Sequence, residues 1–76
     1  MTRNKIRRYR QKAGLTVTEL SKRSDVSIRT LQRIEQGGGA HKVETLMKIY
    51  NAVRDAGRLN PMPSPEEVFP GIDVGV

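Results

Sequence analysis

Residues 16–37 read TVTELSKRSDVSIRTLQRIEQG, two short amphipathic segments joined at Asp25. Leu20, Val26, Leu31 and Ile34 are apolar and fall where two crossing helices bury their shared side. Ser21 is small where the second segment must pass close over the first. Thr16 can cap the first helix, and Glu19, three residues on, completes a capping box. That helix is predicted to run to about Ser24. Asp25 then takes the turn, where a left-handed backbone is often needed and Asp tolerates it better than most residues with a side chain. Ser27 caps the second helix, which is predicted to end at Gln36 and Gly37. The residues left outward at its start are Ser27, Ile28, Arg29, Gln32 and Arg33.

This is the pattern a helix-turn-helix requires, with one helix to lie across phosphates and one to enter the major groove. Duplex DNA is therefore the expected partner. Charge placement agrees. All 14 Lys and Arg lie between Arg3 and Arg58, against five acids (Glu19, Asp25, Glu35, Glu44, Asp55), a balance of +9. From Leu59 onward Glu66, Glu67 and Asp73 face no base, giving −3. A compact body of +9 favours a polyanion, because each phosphate it neutralises releases condensed counterions. A solvated basic surface is the alternative, and the recognition pattern decides against it.

Outward from this stretch, Asn4 to Ala13 is helical in character. Ile6, Tyr9 or Arg10, and Ala13 fall on one side, with Arg7, Arg8 and Lys12 on the other, and Gly14 closes it. Gly37 to His41 form a glycine-rich connector; it is no phosphate loop, since the first glycine is missing and no Ser or Thr follows Lys42. Between Lys42 and Ala56, Val43, Leu46, Ile49, Tyr50 and Val53 recur as a core-facing helical stripe that Gly57 stops. Arg58 to Pro63 reads as loop. Ser64-Pro65-Glu66-Glu67 has the cap, the proline and the acids of a short helix start, with Val68 and Phe69 to bury. The tail Ile72 to Val76 alternates like a strand, yet its glycine content equally fits loose chain.

Seventy-six residues without cysteine make one small all-α domain of about five short helices, with no thiolate metal site and no disulfide. Residues 1–58 form its helix-turn-helix core; residues 59–76 add the Pro-containing loop, the short last helix and the acidic tail. No apolar run approaches membrane-spanning length and no signal-peptide core follows the basic start, so a cytoplasmic location is expected. No cofactor is implied.

The residues Ile6-Arg7, Arg10, Gly14-Leu15-Thr16, Glu19-Leu20, Val26-Ser27, Thr30-Leu31, Arg33-Ile34-Glu35, Gly37 and Val43-Glu44-Thr45-Leu46 carry a resemblance to a known family. Residues 6–53 resemble the five-helix lambda-repressor-like DNA-binding domain of the Cro/XRE type. The resemblance implies that Arg10 and Glu35 form an ion pair between the first and third helices; otherwise both are surface charges. It also implies that Ile28, Arg29, Gln32 and Arg33 read base edges. Arg29 or Arg33 suits a bidentate contact to guanine, worth about 1–3 kcal/mol of discrimination. Ile28 offers either apolar contact to a thymine methyl or only a partly covered aliphatic. Thr16 and Ser27, at helix N-termini, and Lys42, at the start of the fourth helix, are the expected phosphate contacts. Lys22, Arg23, Arg7 and Arg8 are read as solvated basic faces.

The chain departs from the family at four places. Val17 replaces a glutamine whose amide touches the DNA backbone or braces a recognition residue. Asp25 replaces the turn glycine and brings a negative charge near the phosphates. Ser24 replaces an apolar residue, thinning the core. The connector lacks the family's proline.

Catalysis would need paired carboxylates, a nucleophile with its base, or a metal cluster. One histidine, His41, and acids without motif spacing supply none of these, so no enzyme is expected. RNA is disfavoured because Tyr9, Tyr50 and Phe69 form no stacking platform and an A-form major groove does not admit a helix. The expected function is therefore that of a small transcriptional regulator. A repressor acting as a homodimer fits best, because one helix-turn-helix covers few base pairs. The rival is an antitoxin- or adaptor-type interaction module, in which Val68, Phe69, Ile72, Val74 and Val76 dock a protein partner or a second copy.

Overall fold

A computed structural model describes residues 5–37 and 41–70. These form the helices α1 (Ile6–Lys12), α2 (Val17–Ser24), α3 (Ile28–Glu35), α4 (Val43–Asp55) and α5 (Pro65–Val68), with no strand among the described residues. Asn4, the connector residues Gly38 to Ala40, and the tail Ile72 to Val76 with its two alternatives lie outside the described residues.

Local chemistry sets most helix ends. Gly14 follows α1 at φ +73°, a left-handed backbone that favours glycine. The Arg58 guanidinium packs so near that a Cβ at Gly14 would lie 2.6 Å from its Nη1. At α2 the capping box is complete: the Glu19 N–H donates to Thr16 Oγ1 (3.1 Å) and the Thr16 N–H donates to Glu19 Oε1 (3.0 Å). Asp25 ends α2 at φ +59°. Ser27 Oγ accepts the Thr30 N–H at 3.2 Å and starts α3. Ser64 Oγ accepts the Glu67 N–H at 3.3 Å ahead of α5, whose first residue is Pro65.

Ile6, Leu20, Leu31, Ile34, Ile49, Val53 and Val68 are fully buried and draw all five helices onto one core. Burying each such side chain stabilises by about 1.5–3 kcal/mol. α2 packs mainly against α4 and α3. Ser21 and Ser24 are more than small residues at this crossing. Ser21 Oγ donates to the Val26 carbonyl and Ser24 Oγ to the Leu20 carbonyl, both at 2.6 Å. Buried Ser24 is thus satisfied, and Ser21 fastens the turn to α2.

The stripe on α4 is not uniformly buried. Ile49, Tyr50 and Val53 are in the core, whereas Val43 and Leu46 are half-covered and Ala52 is buried in addition. The first turn of α4 directly follows the connector, so its apolar side meets less of the core. Beyond α4, the Tyr50 hydroxyl donates to the Pro63 carbonyl at 2.6 Å, and Leu59 and Met62 pack against the core. The Lys5 N–H donates to the Val68 carbonyl at 2.8 Å, joining the start of α1 to the end of α5.

Candidate nucleic-acid interface

α3 buries Leu31 and Ile34 and turns its other side to solvent. Arg29, Gln32 and Arg33 are exposed there, and Ile28, 39% exposed, is the one large hydrophobic side chain left out among the described residues. Neither guanidinium is held in an ion pair among the described residues. These four side chains therefore share one open helical face that offers two charged forks, one amide and one aliphatic group. No acid occupies the first turn of α3. Its first N–H groups have no intrahelical partner, and the helix dipole adds partial positive charge at that end.

Arg10 and Glu35 hold α3 in place. Arg10 Nε lies 2.7 Å from Glu35 Oε2 and Arg10 Nη2 lies 3.2 Å from Oε1, a two-pronged pair with side chains 14% and 9% exposed. Arg10 Nη1 also donates to the Leu15 carbonyl at 2.9 Å. One guanidinium thus ties together α1, the α1–α2 turn and the end of α3. Such a fork matches a carboxylate in geometry as well as charge.

Thr16, Ser27 and Lys42 stand at three separate helix starts, as the N-caps of α2, α3 and α4. Thr16 has both its N–H and its hydroxyl oxygen engaged by Glu19. The Thr16 backbone N–H, then its side chain, hold the Glu19 carboxyl below the usual carboxylate range, with the Arg23 and Arg58 charges adding to this. Glu19 therefore stays anionic at the N-terminus of α2. Ser27 Oγ donates to Thr30 Oγ1 at 2.9 Å while accepting the Thr30 N–H. Lys42 is exposed and makes no side-chain cap bond.

An open hollow of about 310 Å³ lies between α1, the first residue of α2 and α3, lined by Arg7, Arg10, Val17, Gln32, Glu35 and Gln36. Val17 is partly buried against the core. It fills space where an amide would offer hydrogen bonds. Arg7 is exposed, as a solvated basic residue of α1 should be, and it also lines this hollow beside Arg10. An i, i+3 pair shares a helix face, and that spacing was the signal that set Arg7 beside Arg10. Among the described residues no group of three His, Cys, Asp or Glu stands close enough to hold a metal ion. No helix among them is long and apolar enough to cross a membrane.

A family model described as helix-turn-helix matches residues 6–52, from the start of α1 through most of α4. No curated protein and no solved structure matches the chain.

Proposed function

Since the chain belongs to the lambda-repressor-like, Cro/C1-type helix-turn-helix family of DNA-binding regulators, we propose that it is a sequence-specific repressor acting on duplex DNA as a homodimer. The open face of α3 carries this reading: Ile28, Arg29, Gln32 and Arg33 are exposed together on a helix anchored by the Arg10–Glu35 pair. α3 lies in the major groove. Arg29 and Arg33 present planar forks to guanine edges, Gln32 an amide suited to adenine, and Ile28 an apolar surface suited to a thymine methyl. Ser27 and Lys42 meet phosphates at the starts of α3 and α4, while Thr16 adds only its hydroxyl because its N–H serves Glu19. Two copies set about 34–36 Å apart read successive turns of the groove. The protein turns over no substrate; it acts by occupying its site.

Selection from random duplexes by the purified protein tests this. The expected result is an enriched palindrome whose half-sites lie about one helical turn, or 10–10.5 base pairs, apart. Binding with no enriched sequence would overturn sequence-specific repression and favour the adaptor-type module.

A further inference from the structure

We propose that Arg7 anchors a DNA backbone phosphate at the mouth of the hollow between α1 and α3, a contact that adjoins the base-reading face at Gln32. It rests on the reading that α3 enters the major groove. A helix with its side chains is about 10–12 Å across, and the major groove is about 12 Å wide. A helix seated in it therefore brings both flanks against the sugar-phosphate walls. The α3 flank that faces α1 carries Gln32 and Gln36, four residues apart, and both line the hollow. The wall on that side passes over this opening.

The charges lining it single out Arg7. Three charged side chains face the hollow: Arg7, Arg10 and Glu35. Arg10 and Glu35 neutralise one another through two short contacts, and the third Arg10 nitrogen goes to the Leu15 carbonyl. Arg7 is exposed and makes no ion pair among the described residues. The hollow is left with one uncompensated positive charge flanked by two amides able to donate. Val17 contributes no side-chain donor, so Arg7 supplies the charge that holds a phosphate there. The Arg10–Glu35 pair acquires a second role, since an unpaired Glu35 would repel the same phosphate.

The test is a salt titration of binding to a mixed-sequence duplex of about 30 base pairs, near three helical turns, with the full chain and its Arg7→Ala, Arg7→Lys and Arg8→Ala variants. Arg8 is exposed on α1 but does not line the hollow. Arg7→Ala is expected to flatten the slope of log K against log salt by about 0.9 and to weaken binding about eightfold at about 0.1 M salt. Arg7→Lys should restore most of the slope, Arg8→Ala should change it far less, and all three variants should melt with the parent. If the parent binds and Arg7→Ala behaves like Arg8→Ala, the anchor is refuted and the DNA-binding reading stands. If the parent itself does not bind the duplex, both fall.

Discussion

α2 and α3 are both eight residues long and both start on a hydroxyl cap, yet their N-terminal ends present opposite charge. At α2 the third residue is Glu19, whose carboxylate closes the capping box and neutralises the positive end of the helix dipole. At α3 the third residue is Thr30, which returns only a neutral hydroxyl to Ser27, and no acid stands in that turn. The first helix is optimised as a helix. The second gives up the same stabilisation and keeps a bare positive end beside Arg29. α3 is fastened at its other end instead, through Glu35 to Arg10 on α1, whereas no ion pair among the described residues ties α2 to another helix.

Breaking that fastening should give the largest effect. Glu35→Ala leaves the mostly buried Arg10 without its partner and is expected to destabilise by about 3 kcal/mol in urea unfolding. Replacing both residues by methionine should recover most of the loss. The outward face comes next. Arg29→Ala and Arg33→Ala should each erase about 1–3 kcal/mol of discrimination between preferred and scrambled duplexes in competition binding, while Lys42→Ala weakens all duplexes alike. A smaller change sharpens the contrast directly. Thr30→Glu builds at α3 the box that α2 already has, and should stabilise by about 0.5 kcal/mol in thermal melting while weakening DNA binding several-fold.

The smallest effect lies in the acid limb of stability. Glu19 has its carboxyl held low by Thr16. Its contribution is thus present above the unfolded carboxylate range and is lost as pH falls through the lower folded value. Glu19→Gln keeps the box but cannot titrate, so its stability should fall less between neutral and acid pH than the parent's. Equal slopes in the two proteins would show that the capping carboxylate does not contribute to acid lability.

What the chain discloses in sequence follows from range of interaction. The Thr16–Glu19 box, the left-handed Asp25, the Ser27 and Ser64 caps and the stop at Gly57 are set by residues within a few positions of one another, and all are present. The helical stripe of α4 is legible as a stripe, but its uneven burial depends on what lies opposite each turn. The Tyr50 bond to Pro63, the joining of Lys5 to Val68 and the lodging of Arg58 over Gly14 connect distant segments, so nothing in the spacing announces them. Arg7 shows the same limit at the site. Its place beside Arg10 follows from helical periodicity, but its place beside Gln32 and Gln36 required knowing how α1 lies on α3.

The bond from the Lys5 N–H to the Val68 carbonyl makes the path of the chain a closed circuit. Lys5 and Val68, far apart along the chain, therefore lie side by side in the fold. A covalent link joining the chain at these two points would close little extra loop, which makes the fold a natural subject for a permuted chain opened elsewhere.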